Sequence, residues 1–385
     1  MMLTSIRLRD FLSFKDTDFL ELLPLNVFIG PNGSGKSNLI ESIRLLHLLP
    51  AGKAVERAIW SGGGTREWVW KGAGGKRDTL SLSALVEGLG AQPPLNYLLS
   101  VSAQGQALSL SESIRSLEEQ STMYFDYGED MRPRLKTRDG YRSIDVANYA
   151  YEQSVLAQVS DPTNQYPEIS HLARSFASIR IFPPWIPVRD QGPKIPQPAD
   201  LKNDFLDPDG KNLGLVLNRI RQNSSAKRAL LENIQFIYEG VEDIDVSIEG
   251  NTVQVFLQER GWTIPSTRLS DGTLRWICLL TILLHPNPPG LICLEEPEIG
   301  LHPDLLPRLA DLLRDASTRT QLIVTTHSET LIDAFTTTPE CVIICEKVEG
   351  ATEMKRLNRE ELSGWLEKYS LGKLWSRGDI GGNRW

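Results

Sequence analysis

The stretch LNVFIGPNGSGKSNLIESI, residues 25–43, joins a short apolar run, a glycine-rich turn and the start of a helical pattern. Its centre, GPNGSGKS at residues 30–37, matches the phosphate-binding pattern GxxxxGK followed by Ser or Thr. Glycines in such a turn let backbone N–H groups point inward around phosphate oxygens. Chance would place this pattern in roughly one chain of this length per hundred, and the strand-turn-helix context lowers that further. An ordinary glycine-rich turn is therefore the weaker interpretation.

This motif predicts a nucleotide site made of backbone groups and two side chains. Lys36 is expected to reach the β- and γ-phosphates of ATP, and the Ser37 hydroxyl to ligate Mg²⁺. The N-terminus of the following helix adds partial positive charge. The expected nucleotide contacts are Gly30, Pro31, Asn32, Gly33, Ser34, Gly35, Lys36, Ser37 and Asn38.

A second stretch, LICLEEPEIGLHP at residues 291–303, carries four apolar residues directly into a group of acids. Unpaired buried charge is expensive, so a positive partner should lie at the end of this strand. Magnesium on a bound nucleotide would be that partner. We therefore predict Glu295 as part of the Mg²⁺ shell, through water, and Glu296 as the base that orients or deprotonates the attacking water. The alternative, acids that cap a following turn, leaves the second glutamate without a purpose.

Two shorter signals follow the same order along the chain. RLSDGTLRW, residues 268–276, precedes an amphipathic helical pattern, and IVTTHSET, residues 323–330, places His327 at the end of the next strand. Each is weak alone, because Ser270 could simply cap a helix and a lone histidine is usually structural. Together with the first two motifs they form a specific set.

This ordered set resembles the ABC-type ATPases, within the branch that contains SMC and RecF proteins and the overcoming-lysogenisation-defect ATPases. The resemblance covers residues 1–45 and about 250–385, and it is closest to compact members that lack a long coiled coil. It implies an α/β P-loop NTPase: an ABC-type head with a mostly parallel core sheet, an antiparallel β subdomain and a helical arm insertion. The expected division is residues 1–145 for the N-terminal part of the head, 146–240 for a helical, proline-rich arm, and 241–385 for the C-terminal part.

The resemblance also implies how such a head works. Two heads close face to face around two ATP molecules, which predicts a homodimer or a higher homo-oligomer. The signature residues Ser270, Asp271 and Gly272 would then contact the nucleotide of the opposite subunit. His327 would contact the γ-phosphate in its own subunit, and residues 298–302 would lie at the dimer seam.

Four positions depart from the family pattern. The signature reads SDG where SGG is commoner, so Asp271 brings an acid near a phosphate. Glu295 stands in place of Asp, and His302 stands where many relatives carry Asp. No glutamine occurs between Lys36 and Gln92, so the family's Mg²⁺-contacting glutamine has no assigned equivalent.

Strand and helix patterns support this architecture. Residues 79–144 alternate like antiparallel strands, and the last third alternates between helices and strands as parallel βαβ units do. Residues 61–76 are glycine-rich and predict a loop, and residues 183–198 predict a proline-rich connector. Near the end, a single amphipathic helix is expected to bury Leu362, Trp365, Leu366 and Tyr369.

A basic stretch, MRPRLKTRDG at residues 131–140, has cations at every second position. On a strand they would share one face, which fits either contact with a nucleic-acid backbone or a solvated edge strand protected by charge. The edge strand is slightly favoured. The four residues are Arg132, Arg134, Lys136 and Arg138.

Composition limits the remaining choices. The chain has 385 residues and a net charge of −8, and no apolar run approaches the length of a membrane span, so no membrane partner is expected. The start MMLTSIRLRDFLSF lacks a signal-peptide core, which predicts a cytoplasmic protein. The four cysteines lack metal-site spacing and are expected to be small buried residues.

About 58 residues follow His327, too few for the nuclease domain that some relatives carry. Any nuclease or toxin activity is therefore expected in a separate effector protein. The first hypothesis is an ATP-hydrolysing dimeric sensor that controls this effector in bacterial anti-phage defence. The alternative is a DNA-repair or DNA-tethering ATPase, and a transporter subunit is the least supported.

Overall fold

The computed structural model describes residues 2–72, 78–105, 107–118, 121–128, 132–137, 140–159, 161, 164–184 and 192–382. Their strands are β1 (Leu3–Phe11), β2 (Phe14–Asp16), β3 (Leu20–Glu21), β4 (Leu25–Ile29), β5 (Thr79–Val86), β6 (Leu95–Gln104), β7 (Ala107–Ser116), β8 (Met123–Tyr127), β9 (Pro133–Thr137), β10 (Gly140–Ser143), β11 (Arg180–Phe182), β12 (Gln197–Pro198), β13 (Val241–Glu249), β14 (Thr252–Glu259), β15 (Trp262–Pro265), β16 (Leu291–Glu295), β17 (Gln321–Thr326), β18 (Val342–Val348) and β19 (Ala351–Arg356).

The α-helices are α1 (Lys36–Leu48), α2 (Ala54–Ser61), α3 (Thr65–Trp68), α4 (Val155–Gln158), α5 (Pro167–Ala177), α6 (Leu213–Ile220), α7 (Ser224–Gln235), α8 (Asp271–Leu283), α9 (Leu306–Ala316), α10 (Glu329–Asp333), α11 (Arg359–Leu366) and α12 (Leu371–Ser376). The chain divides into two compact units. Unit 1 comprises Met1–Arg180, Glu340–Asn358 and Gly378–Trp385, and unit 2 comprises Ile181–Pro339 and Arg359–Arg377. The three-part division expected from the sequence stays a prediction.

Unit 1 contains a nine-stranded antiparallel sheet in the order β10-β9-β8-β7-β6-β5-β1-β2, with β3 also paired to β1. Every second side chain of β5 and β7 is buried, because successive side chains of a strand point to opposite faces. The antiparallel β subdomain predicted from this alternation is confirmed.

A separate group of strands in unit 1 carries the phosphate-binding motif. β4 is buried along its whole length and pairs in parallel with β18, and β18 pairs antiparallel with β19. Since β4 ends at Ile29 and α1 begins at Lys36, the glycine-rich stretch forms the turn between them.

Unit 2 contains the acid-ended strand. β16 pairs in parallel with β17, as the alternation of helices and strands predicted. A four-stranded antiparallel sheet of β12, β13, β14 and β15 lies in the same unit, and its main hairpin turns at Gly250, as expected. The core of the unit includes the fully buried Trp276 of α8, whose indole N–H donates to the carbonyl oxygen of Asn233 at 2.9 Å.

The structure corrects two predicted segments. Residues 61–76 are not a continuous loop, because α3 lies within them; residues 73–77 lie outside the described part. The C-terminal helix is two helices, α11 and α12, and Trp365 is 49% exposed. The apolar burial moves to α12, where Leu371 N–H donates to Thr336 Oγ1 and Gly372 N–H to Asp333 Oδ1. The C-terminal segment therefore buries its apolar residues where α12 contacts α10 and the residues after it, and not along the apolar face of one continuous helix.

The four cysteines are buried and form no disulfide bonds, which agrees with the prediction of small core residues. Within the described ranges, no helix is both long and apolar enough to cross a bilayer.

A buried carboxyl ties the antiparallel sheet of unit 1 to the segment that follows it. Glu112 on β7 accepts hydrogen bonds from the Tyr97 hydroxyl, from Ser154 Oγ at 2.6 Å and from the Val155 N–H at 2.7 Å. Burial raises the pKa of Glu112. The three donors depend on this one side chain, because each would lose its partner in a place that water does not reach.

We predict that Glu112→Leu lowers the free energy of unfolding by about 2–4 kcal/mol, since buried donors left unpaired each cost about 1–3 kcal/mol. Glu112→Gln should be milder, because its amide oxygen can accept from Val155 while its NH₂ donates to the hydroxyls. A raised pKa stabilises the fold below the ordinary glutamate pKa, and this contribution is lost as pH rises through the folded value. Denaturant unfolding against pH should therefore show that loss in the parent but not in Glu112→Gln.

The matched control for this series is Glu353→Leu, an exposed strand acid of the same unit. It should change stability by less than about 0.5 kcal/mol. Equal effects of the two leucine substitutions would contradict the prediction.

Candidate functional site

The turn between β4 and α1 uses three glycines in the conformation that favours glycine. Gly30, Gly33 and Gly35 have φ values of 149°, 78° and 104°. A Cβ on Gly30 would overlap the carbonyl oxygen of Cys345, and one on Gly35 would overlap Thr352 Oγ1, whereas nothing lies within 4 Å of the position at Gly33. The turn is thus packed against β18 and β19 on one side and open at Gly33.

Lys36 is folded into this turn. Only 5% of the residue is exposed, and its ammonium Nζ lies 2.7 Å from the Gly30 carbonyl oxygen and 3.1 Å from that of Pro31. Ser34 Oγ is 3.4 Å away. Ser37, one residue further on, is exposed. An inward ammonium, turned backbone amides and an exposed hydroxyl fit a polyphosphate with Mg²⁺.

Two residues distant in sequence hold the turn in place. Thr352 Oγ1 lies 2.9 Å from the Ser34 carbonyl oxygen and 2.7 Å from Ser13 Oγ. The side-chain amide of Asn38 donates to Ser13 Oγ at 2.8 Å, so Asn38 braces the turn from its own helix. Sequence reasoning missed Ser13 and Thr352, because neither lies in a recognisable motif and only the fold brings them close to the turn.

The acid-ended strand of unit 2 finishes at Glu295, opposite Thr325 of β17. The next residue, Glu296, has a φ of 46°, which is costly for a side chain larger than glycine. Its N–H donates to the Thr325 carbonyl oxygen at 2.9 Å, which holds this conformation. Backbone strain of about 1–3 kcal/mol is typical of functional sites, where the surrounding contacts enforce it.

His327 follows β17 and lies beside Glu296. Its ring Nε2 is 3.3 Å from Glu296 Oε1, and both side chains are about one third exposed, at 30% and 29%. Two residues that the sequence assigned to one reaction are thus brought together within unit 2. Their roles stay predictions.

A second carboxyl completes this cluster. Glu298 Oε1 accepts from Thr326 Oγ1 at 2.5 Å and from the His327 N–H at 3.2 Å. Burial raises the pKa of Glu298. Sequence reasoning placed Glu298 only in a loop at a dimer seam. The one available signal was its position two residues after the expected base.

The signature segment begins α8. Ser270 Oγ caps the helix by accepting from the Thr273 N–H at 3.1 Å. A Cβ on Gly272 would lie 3.1 Å from the Gly300 carbonyl oxygen, so the signature packs closely against the loop that follows the acids. Asp271, the first residue of the helix, pairs with Lys194 Nζ at 2.9 Å.

Lys194 is a functional candidate that sequence reasoning missed. It lies 77 residues before Asp271, within the predicted proline-rich connector, whose residues 185–191 are outside the described part. Ser266 Oγ donates to the Lys194 carbonyl oxygen at 3.1 Å, which fixes the backbone there. The acid that departs from the family signature is therefore charge-compensated within its own chain.

The basic strand is also compensated in part. Arg134 on β9 makes two hydrogen bonds to Asp126, of 2.6 Å and 2.8 Å, and its guanidinium lies 5.3 Å from the Tyr141 ring. Lys136 lies over the ring of Tyr124 at 5.4 Å. Arg132 directly precedes the strand, and Arg138 lies outside the described residues. The predicted edge strand is wrong, because β9 pairs with β10 on one side and with β8 on the other. Contact of this stretch with a nucleic-acid backbone stays a prediction.

Comparisons with solved structures identify the fold. The structure is similar to an SMC head bound to the C-winged-helix domain of ScpA, with a TM-score of 0.56 and 14% identity over 94% of this chain and 100% of that one. It is also similar to the Pyrococcus furiosus Smc head with an extended coiled coil, bound to the C-terminal domain of ScpA, with a TM-score of 0.54 and 13% identity over 95% of this chain and 98% of that one. The Pyrococcus yayanosii Smc head with a coiled coil and joint has a TM-score of 0.53 and 10% identity over 95% of this chain and 99% of that one. These likenesses confirm the predicted ABC-type head.

The comparison of families is more specific. No curated protein matches the chain significantly. Residues 25–333, most of the chain, match the model of the family described as AAA domain, putative AbiEii toxin, Type IV TA system. The protein belongs to this AAA family and has the P-loop NTPase fold of the SMC heads.

Proposed function

We propose that this protein binds Mg·ATP, closes into a homodimer around it, hydrolyses it, and in doing so controls a separate effector protein. The observation that carries the proposal is the Glu296–His327 pair, held at 3.3 Å beside a strained backbone. A structural turn needs neither the strain nor a histidine at the adjacent strand end. In this proposal the phosphates are bound by the buried Lys36, whose ammonium lies 2.7 Å from the Gly30 carbonyl oxygen in the glycine-rich turn.

Each residue has a defined task in this proposal. The amides of residues 33–37 and the Lys36 ammonium bind the phosphates, and Ser37 and Glu295 hold the metal. Mg²⁺, when bound, neutralises charge on the phosphates. Glu296 accepts the proton of the attacking water, and His327 orients the Glu296 carboxylate through Nε2.

The dimer is supported by the signature segment. The N-terminus of α8 is capped by Ser270 and carries partial positive charge, and the Lys194 pair reduces the repulsion that Asp271 would exert on a phosphate. In the proposed dimer this end faces the nucleotide of the second copy.

A regulatory role is supported by the comparisons. The SMC heads of similar fold were solved with bound domains of ScpA, so heads of this fold can engage a separate protein. The family description names a putative AbiEii toxin and a Type IV TA system, which connects the family with toxin–antitoxin systems. We therefore propose a bacterial defence system in which the ATPase senses infection and the effector is a nuclease or toxin. DNA tethering is the second candidate, favoured by the SMC-head fold alone.

The two roles are separated by their ligands. A stable complex with a small effector supports defence, whereas stimulation of ATP hydrolysis by DNA supports tethering.

Lys36→Ala should weaken Mg·ATP affinity by at least about tenfold, or about 1.4 kcal/mol, because the only side-chain cation of the turn is lost. Isothermal calorimetry measures this loss. Lys355→Ala, an exposed lysine on β19 of the same unit, should bind like the parent. Equal affinities for the Lys36 and Lys355 variants would remove the turn from the nucleotide site.

Glu296→Gln tests the proposed function directly. The variant should bind ATP and accumulate as a closed dimer, but lose about 10²- to 10⁴-fold in turnover, because an amide cannot accept the proton. Phosphate release and light scattering with ATP measure the two effects. Hydrolysis at the parental rate would show that another group is the base. Glu329→Gln, an exposed acid at the start of α10, is the control and should keep parental turnover.

Lys194→Ala should weaken ATP-dependent dimerisation by about tenfold, or about 1.4 kcal/mol, since it leaves Asp271 uncompensated beside the incoming phosphate. Asp271→Asn in the same chain should restore it. Sedimentation with and without ATP provides the measurement. The control is Lys211→Ala, which breaks a comparable surface pair with Asp209 and should have no effect. A double variant as weak as Lys194→Ala would contradict charge compensation.

A further inference from the structure

The carboxyl of Glu298 bridges two segments that are distant in sequence. Its Oε1 accepts from the Thr326 hydroxyl and from the His327 N–H, so one oxygen joins the loop after β16 to the end of β17. The other oxygen, Oε2, is buried and has no hydrogen-bond partner among the described residues. A surface acid that merely capped a turn would be hydrated instead.

The loop that carries Glu298 is itself closely constrained. The Ile299 N–H donates to the Glu296 carbonyl oxygen at 3.1 Å, and the Leu301 N–H to that of Glu298 at 3.0 Å. Gly300 has a φ of 76°, and a Cβ there would overlap the guanidinium of Arg275. These contacts hold the loop backbone in one conformation, and this fixes the position from which the Glu298 side chain extends.

The other end of the bridge is equally well defined. The Thr326 hydroxyl, which donates to Glu298, also accepts from the Ser328 N–H at 3.0 Å, and Ser328 caps α10. His327 lies between these two residues. Its backbone is thus held on both sides, while its ring faces Glu296 at 3.3 Å.

We infer that Glu298 is a positioning residue for ATP hydrolysis: it fixes the backbone of His327 so that the ring Nε2 holds the Glu296 carboxylate. This inference rests on the proposed function, since it assigns Glu296 as the base. Glu298 acts through His327 and through its own loop. The feature required of it is an acceptor oxygen at the position of Oε1, which an amide also provides.

This requirement sets the choice of variants. Glu298→Ala removes the acceptor and Glu298→Gln keeps it. Thr326→Val removes one of the two donors to Glu298, and also the acceptor of the Ser328 N–H, at nearly constant side-chain shape. Glu329→Ala, an exposed acid two residues after His327, is the matched control. All are made in the full chain.

The kinetic measurement is phosphate release over a range of Mg·ATP concentrations. Glu298→Ala should lower kcat by about 10- to 100-fold, because displacing a catalytic group by about 1 Å slows the reaction by about that factor. KM should change by less than about twofold. Glu298→Gln should keep at least about half of the parental kcat, and Thr326→Val should fall between the two. The control should match the parent in both constants.

Three results would overturn the inference: parental kcat in Glu298→Ala, a Glu298→Gln variant as slow as Glu298→Ala, or a loss expressed in KM alone. If Glu298→Ala does not fold, parental kcat in Thr326→Val overturns it. A slow Thr326→Val beside an active Glu298→Gln supports it.

A second measurement does not depend on turnover. Amide hydrogen exchange of a peptide covering residues 321–331 should be at least about tenfold faster in Glu298→Ala than in the parent, and unchanged in Glu298→Gln. Unchanged exchange in Glu298→Ala would show that the bridge does not hold His327, and would overturn the inference. Absence of ATP hydrolysis in the parent, with the exchange difference present, would overturn the proposed function instead.

Discussion

A strand that is buried along four residues and then ends in two adjacent carboxylates is the main electrostatic constraint on this protein. Charge at the end of an apolar strand is stable only if protein groups replace the lost water. The backbone turns sharply at Glu296, which has a positive φ, and the Glu296 side chain lies beside His327. The neighbouring Glu298 accepts two hydrogen bonds from the next strand end. The groups that stabilise these carboxylates are thus the same groups to which the proposed hydrolysis assigns a role.

The glycine-rich turn of unit 1 has the converse problem, a buried cation. Carbonyl oxygens of its own loop hold the Lys36 ammonium, so the charge is stabilised within the unit before any phosphate arrives. Bracing by Ser13 and Thr352 keeps the turn in this form. Preorganised groups of this kind bind and orient a polyphosphate without first paying to rearrange.

The chain belongs to the AAA family and has the SMC-head fold. In the proposed cycle, the signature end of α8 and the loop carrying Glu298 report the state of the nucleotide together. Gly272 packs against the carbonyl of Gly300 in that loop, so the signature segment and the loop are in direct contact. This contact is local to unit 2 and lies between the proposed dimer face and the proposed base.

The sequence by itself determined the two motifs, the parallel pairing around them and the antiparallel sheet, because these follow from glycine conformations, strand periodicity and residue spacing. It was wrong where tertiary packing decides the outcome, as in the C-terminal segment, where contacts with α10 split one expected helix in two. Only the tertiary structure brought Lys194 to Asp271 and Glu298 to His327. The reason is physical: periodicity and motif spacing are local properties, whereas the partner of a buried or compensated charge is chosen by the folded chain over tens of residues.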